Sequence, residues 1–487
     1  MYLGLDLGTT NVKAVVADPS GRIVSDGSCP IARRTEPGGG VEQDIEEIWS
    51  ATLAALRQAA RGAPAGHAVR ALGVSSQGGA VQWLDGTHRP TGPVISWLDG
   101  RGRPYNEQLD RELGAAFFAE HTGRSLCGLA PGQVLRVRAE RPAWMEPADQ
   151  LAFVGDVIVG RLCGRRAHDA TSLSIAMLLN PRLRRADPEL LARLGLAEEQ
   201  LPALLPATAA AGPLLPEVAD ATGLPRGIPV SPAVHDQYAA AIGVGSVQAG
   251  DVCLGTGTAW VLLANVASLS PPATRTTFVC PHPAGDLFGQ MLSMGNGCSA
   301  LQWALSLMGQ EDLSGAALDA MLDRVAPGAG GLCFWPVLSQ GACATELADG
   351  GRLSGLRLHH GRPDVLRAVV EGLACELNRH LRMLVAAGVP VGRLLMCGTA
   401  AASRVTPQIL ADVTQCPVLC GPEAAVSATG AAVIARAMTE RQPLAMLATQ
   451  LAGQSRANLQ VIEPRDRGCY GDLLARYLEP FQAEDTP

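Results

Sequence analysis

A tight turn of glycine and threonine, Gly8-Thr9-Thr10, follows the apolar run Tyr2 to Leu7. Such a turn presents backbone N–H groups and two hydroxyls outward, the donor set that a phosphate chain takes. Asp6, near the end of the run, offers a carboxylate for Mg²⁺, directly or through water. Lys13 lies just past the turn and brings a compact positive charge to the same phosphates. It is the only lysine in the chain; every other fixed cation is arginine. The same residues also describe an ordinary hairpin with a surface lysine. A second turn, Gly255-Thr256-Gly257-Thr258, repeats the design in the other half of the chain. Two such hairpins suit a nucleotide held in a cleft between the halves. Neither has the G-x-x-x-x-G-K-[ST] spacing of a P-loop, and neither opens a helix as a G-x-G-x-x-G turn does.

Asp236 follows an apolar strand, within His235-Asp236-Gln237 and just ahead of the second hairpin. A carboxylate there can accept the proton of an attacking hydroxyl and orient it toward a γ-phosphate. It is equally placed to cap a helix, a position that favours aspartate. Gln77 follows another strand, and Trp97-Leu98-Asp99-Gly100-Arg101 follows a third. Amide, carboxylate, guanidinium and an aromatic face are the groups that hold sugars, although a loop salt bridge and a core tryptophan use the same types.

These residues need strands and helices to hold them. Tyr2 to Leu7, Val12 to Ala17 and a third strand opening at Ile23-Val24 read as a β-meander, with turns at Gly8 to Thr10 and Asp18 to Gly21. A helix is predicted after Asp44, with Glu47 as its capping-box partner. A strand is predicted from Val69 to Ser75. Further on, Val252 to Leu254 and Trp260 to Ala264 flank the second turn, Pro363 to Ala387 reads as a helix stopped by Gly388, and Arg393 to Cys397 as a strand. Strands alternate with helices in both halves, which argues for α/β layers. The 487 residues, 47% hydrophobic and 17% charged, supply cores for two or more domains. A net charge of −7 without a basic run excludes a nucleic-acid footprint, and no stretch has the length and apolarity of a membrane span. Met1 leads almost directly into a strand, so no signal peptide is expected. The 13 cysteines are scattered without a C-x-x-C pair; Cys280 and His282 alone approach a ligand spacing. Buried reduced thiols and a cytoplasmic location are expected.

Taken in order, these motifs resemble the FGGY family of carbohydrate kinases, in the superfamily of hexokinase, actin and the Hsp70 ATPase domain. The resemblance runs over roughly residues 3 to 440: Gly4 to Thr10 with Lys13, Glu42-Gln43-Asp44 with Trp49, Ser76-Gln77, Trp97-x-Asp99-x-Arg101, His168-Asp169 with Ser172, Asp236-Gln237 and Gly255 to Thr258. Gly351 to Leu356, Asp364-Val365 and Ala368 to Gly372 are similar to the family's second signature, and Gly398, Ser403 and Leu410-Ala411-Asp412 to its nucleotide-binding strand and helix. The resemblance implies two ribonuclease-H-like α/β domains of the actin-like ATPase fold, with an interdomain cleft. It places a sugar-binding domain at residues 1–245 and a nucleotide-binding domain at 246–440, and leaves 441–487 as an extension of unassigned role.

It also implies ATP and Mg²⁺ as cofactors and a small sugar or polyol, of ketopentose type, as substrate. Asp236 takes the catalytic-base position and a place at the substrate. Asp6 would hold the metal; Thr9, Thr10 and Lys13 with Gly255, Thr256, Gly257 and Thr258 the phosphates; Gln302, Gly398, Thr399 and Ser403 the nucleotide. Gln77, Gly78, Gly79, Asp99 and Arg101 fall on the sugar side, and a homodimer is expected by analogy. Three departures stand out. Larger residues usually follow the glutamine where Gly78 and Gly79 stand, so the pair is expected to leave room for a larger or differently oriented substrate. Thr399-Ala400 replaces part of a glycine-rich run, and the first signature near Pro131 to Arg138 lacks its lysine and tryptophan. The alternative function is a catalytically silent relative that senses or scaffolds a metabolite.

Overall fold

Leu3, Leu5 and Leu7 are wholly buried along the first strand, β1 (Tyr2–Leu7), as expected of a strand covered on both faces. The computed structural model describes residues 1–64, 68–146, 149–338, 350–421, 425–456, 461–465 and 468–482. Strand β1 pairs antiparallel with β2 (Asn11–Ala17), and β2 with β3 (Ile23–Pro30), so the predicted meander forms. On its other side β1 runs parallel to β4 (Leu72–Ser76). The sheet continues with β5 (Ala167–His168), β6 (Ala203–Leu204) and β7 (Pro229–His235), in the order β6-β5-β7-β4-β1-β2-β3. Every pairing from β1 to β6 on that side is parallel. This mixed layout, a meander joined to parallel strands, is of ribonuclease-H type.

Helix α1 (Ile45–Gly62) begins where predicted, and the Asp44 carboxylate accepts from the N–H of Glu46. No capping box forms: the Glu47 carboxylate instead accepts from the N–H of Ala32 at 2.8 Å, a partner distant in sequence. Two short helices matter later, α2 (Ala170–Ile175) and α3 (Asp236–Gly243), the latter directly continuing β7.

The chain divides into two compact units: residues 1–248, 266–290 and 425–455 form one, and residues 249–265, 291–424 and 456–487 the other. The sheet of the second unit contains β8 (Asp251–Thr256) and β9 (Trp260–Val266) as an antiparallel pair. Next to β8 comes β10 (Arg393–Gly398), then β11 (Val418–Cys420), both parallel, and β12 (Val461–Ile462), antiparallel. Helix α4 (Cys298–Leu307) follows the hairpin in this unit, α5 (Arg362–Ala386) is the long predicted helix, and α6 (Thr406–Thr414) follows β10.

Helix α7 (Val426–Glu440) belongs with the first unit, although it follows the second unit's strands in sequence. Glycine lets it lie against the sheet. A Cβ on Gly4 would overlap the carbonyl of Ala428, and one on Gly73 the carbonyl of Ala431. Gly430 in turn meets the carbonyl of Ala239 in α3. Among the described residues no helix is long and apolar enough to cross a membrane, no group of three His, Cys, Asp or Glu side chains could hold a metal ion, and no disulfide joins the described cysteines.

Candidate functional site

The turn between β1 and β2 is held from below by side chains. The N–H of Gly8 donates to the carbonyl of Asn11 at 3.1 Å. The hydroxyl of Thr9 donates to Gln77 Oε1 at 3.2 Å and accepts from Trp97 Nε1 at 3.0 Å. Its carbonyl accepts from Gln43 Nε2 at 3.1 Å, and Gln77 Nε2 donates to Gln43 Oε1 at 3.1 Å. Gln77 and Trp97, expected on the sugar side, therefore brace the phosphate-type turn. Thr10 remains exposed at its tip. Gln43 belongs to the Glu42-Gln43-Asp44 motif, which implies no role for it; nothing in its spacing reveals that its amide joins Thr9 to Gln77.

Strand pairing sets Asp6 directly opposite Lys13, neighbours on one face of the sheet. Asp6 Oδ1 accepts from the hydroxyl of Ser75 at 2.9 Å. Burial, and then the carboxylate of Asp236, push Asp6 up to about 7, against the Ser75 hydroxyl and the Lys13 charge. Its ordinary value is 3.8, so folding tightens its hold on the proton. The stability this brings is fully present below pH 3.8 and is lost as pH rises through about 7. Asp6→Asn is thus expected to raise the melting temperature of the ligand-free protein at pH 8 by about 1–4 °C, and by much less at pH 5. Thermal melts at the two pH values check this.

Asp236 is the first residue of α3, while the cap position itself falls to His235, whose side chain makes no cap bond. The Asp236 side chain is 26% exposed. Burial pushes its carboxyl up to about 6, against the backbone and side-chain donors of Gln237. His235 Nε2 stands 3.4 Å from Asp236 Oδ1, and burial pushes its imidazole down to about 3, so the ring is neutral at physiological pH.

The glycine pair does not widen the site. A Cβ on Gly78 would overlap the His235 ring and come within 2.8 Å of Ile175. Gly79 has a φ of +75° and lies against Leu129. Beside the pair is a cavity of only about 10 Å³, whose lining includes Ser76, Phe153 and His168, the scale of one water. The expected room for a larger substrate is filled by the imidazole, which no reading of position 78 alone reveals.

Asp99 and Arg101 form one cluster with Glu42. Arg101 Nη2 lies 2.6 Å from both Asp99 Oδ2 and Glu42 Oε1, and Asp99 also accepts from the N–H of Val41. Burial opposes ionisation of Asp99, but the Arg101 guanidinium and the Val41 and Arg101 N–H groups outweigh it and hold the carboxyl below its ordinary value. Asp99 is thus a buried support, and the partly exposed Arg101 is the group that can reach outward.

In the second unit, Gly257 and Thr258 are exposed at the β8–β9 turn, and their carbonyls accept from the N–H groups of Cys298 and Ser299 at 3.1 Å each. Thr256 is buried; its hydroxyl donates to the carbonyl of Cys397 at 2.6 Å and accepts from the N–H of Ala400 at 3.2 Å. Gly398, with a φ of +92°, passes so close to Thr256 that a Cβ would sit 2.9 Å from its carbonyl oxygen. Thr399 is exposed and Gln302 lies on an exposed part of α4. Ser403 donates to Asp319 Oδ1 at 2.5 Å and accepts from the N–H groups of Val405 and Thr406, which makes it a support for the start of α6.

A family model described as the FGGY family of carbohydrate kinases, N-terminal domain, matches residues 1–243, and the C-terminal domain model of the same family matches residues 251–438. The chain is 29% identical over 417 residues to a protein named xylulose kinase from Escherichia coli, covering 85% of each. It is 29% identical over 430 residues to one named glycerol kinase from Gloeobacter violaceus, covering 85% of this chain and 84% of that one. A crystal structure of a xyloylose kinase from Brucella ovis superposes with a TM-score of 0.90 at 26% identity, over 99% of both chains.

Proposed function

Because the chain belongs to the FGGY family of carbohydrate kinases, we propose that it transfers the γ-phosphoryl group of ATP to a hydroxyl of a small sugar or polyol, with Asp236 as general base. The observation that carries the reading is the state of Asp236: a partly open carboxylate at the start of α3, raised to about 6 by burial. A base poised near neutrality both holds its charge at physiological pH and drives proton transfer. It takes the proton of the attacking hydroxyl as that oxygen forms its bond to phosphorus and ADP leaves. The relatives named xylulose kinase support a ketopentose-type acceptor.

Thr9, Thr10 and Lys13 would face the phosphates, as would Gly255, Gly257 and Thr258, while Thr256 acts through its backbone. Gln302, Gly398 and Thr399 would lie toward the nucleotide, with Ser403 behind them. Arg101 would reach the acceptor, supported by Asp99, beside Gln77, Gly78 and Gly79. Asp6 fits Mg²⁺: it is a hard oxygen donor with one oxygen bonded to Ser75, and it carries a raised pKa that a nearby cation reverses. One carboxylate completed by water and phosphate oxygens is a common Mg²⁺ arrangement. When bound, Mg²⁺ neutralises charge on the transferring phosphoryl group.

Lys13→Arg keeps the charge but replaces a point donor by a planar fork. It is expected to raise the KM for ATP about tenfold, equivalent to about 1.4 kcal/mol, with a smaller effect on kcat; steady-state ATP titration measures it. The activity itself is tested by ADP release from Mg²⁺-ATP across ketopentoses, polyols, heptuloses and deoxy sugars. One strong acceptor establishes the kinase and names its substrate. ATP binding with no turnover across the panel favours a metabolite sensor instead.

A further inference from the structure

We infer that His235 is a positioning residue for Asp236, and that position 78 is glycine because the His235 ring occupies the space above it. The proposal rests on Asp236 being the base. Two contacts define the ring's place. On one side it abuts Gly78 so closely that a single added Cβ would overlap it, with Ile175 closing the same gap. On the other, Nε2 faces Asp236 Oδ1 at 3.4 Å. Its backbone is fixed as well: the His235 N–H donates to the Thr171 hydroxyl at 3.0 Å, and that hydroxyl donates to Asp169 Oδ1 at 2.6 Å. Tyr238, one turn along α3, meets the ring edge-on with centroids 6.1 Å apart.

His235 is 5% exposed, and its Nδ1 is buried without a hydrogen-bond partner. A neutral imidazole carries one N–H. With the proton on Nδ1, a buried donor would go unpaired while the other nitrogen turned a lone pair toward a carboxylate. With the proton on Nε2, the ring aims its donor at Asp236 and leaves only an acceptor unpaired, which buried sites tolerate better. The 3.4 Å separation exceeds the usual N–H···O range of about 2.7–3.2 Å. The ring therefore acts as a stop that receives the carboxylate when it turns toward the acceptor. With Oδ1 held by the imidazole, Oδ2 is left to take the hydroxyl proton. A carboxylate held by the Gln237 donors alone would spend less time in that orientation.

The test compares His235→Leu, which fills the space without a donor, with His235→Gln, which restores one near the position of Nε2. His235→Leu is expected to lower kcat about tenfold to a hundredfold with the KM for ATP and acceptor within threefold of wild type, and His235→Gln to recover most of the loss. Gly78→Ala approaches the same contact from the other side and keeps the question open should His235→Leu not fold. It is expected to lower kcat at least tenfold in the wild type, and to cost nothing further in a His235→Gly background. Equal kcat in His235→Leu and wild type overturns the proposal, as does a loss that His235→Gln does not repair. Asp236→Asn is measured in parallel. If it is inactive while His235→Leu is fully active, the base stands and only the role of His235 falls; if it is active, both fall.

Discussion

Asp236→Asn should lower kcat by about 10²–10⁴-fold while the protein keeps its fold and its affinity for ATP. The substitution is nearly isosteric and sits at the first turn of α3, where an amide oxygen can still accept from the N–H of Gln237. What it removes is the proposed acceptor for the hydroxyl proton. Because burial already holds the Asp236 carboxyl up at about 6, replacing it by an amide removes an ion that folding disfavours at pH 8. The melting temperature at that pH is therefore expected to hold or rise. ADP release in the presence of the best acceptor, nucleotide binding by calorimetry and a thermal melt test the three parts separately. Activity within tenfold of wild type would remove Asp236 from the reaction.

The largest structural effect is expected at Gly73. A valine there would drive its side chain into the carbonyl of Ala431, backbone that cannot turn aside as a flexible side chain can. Overpacking a tight contact costs about 1–3 kcal/mol and more where backbone must move. Here the whole of α7 must lift from β4 and β1. Gly73→Val is expected to yield no soluble protein, or a melting temperature lower by at least about 5 °C. Gly86→Ala is the control, since an added Cβ at that position meets nothing within 4 Å. Equal melts for the two variants would mean that α7 does not rest on the sheet.

What the sequence could and could not reveal follows from the range of the interactions. The two Gly/Thr hairpins, the long helix α5 and the strand β10 are written in local periodicity and turn chemistry, and each forms close to its expected bounds. Glu47 had the spacing of a capping box, yet a strand-end N–H from Ala32 claims its carboxylate. Ser403 had the look of a nucleotide contact, yet Asp319 and the start of α6 take its hydroxyl. Gly78 reads as vacant space until His235 is known to lie over it. Helix α7 reads as part of the second half, because nothing local marks Gly4 and Gly73 as its seat. In each case the deciding partner is remote in the chain, where pattern and propensity carry no information.

Thr9 joins the phosphate-type turn to Gln43, Gln77 and Trp97 through its hydroxyl and its carbonyl. If the turn takes the phosphates and Trp97 lies against the acceptor, as the proposed function has it, one residue reports to two ligands. An acceptor that fixes Trp97 also fixes the hydroxyl to which its indole N–H donates, and so part of the entropy of ordering the turn is spent before nucleotide arrives. Thermodynamic reciprocity then governs the pair. Whatever factor the acceptor contributes to nucleotide affinity, nucleotide must return to the acceptor. Futile ATP hydrolysis would be restrained by the same three hydrogen bonds, since water in place of a sugar gives Trp97 nothing to rest against.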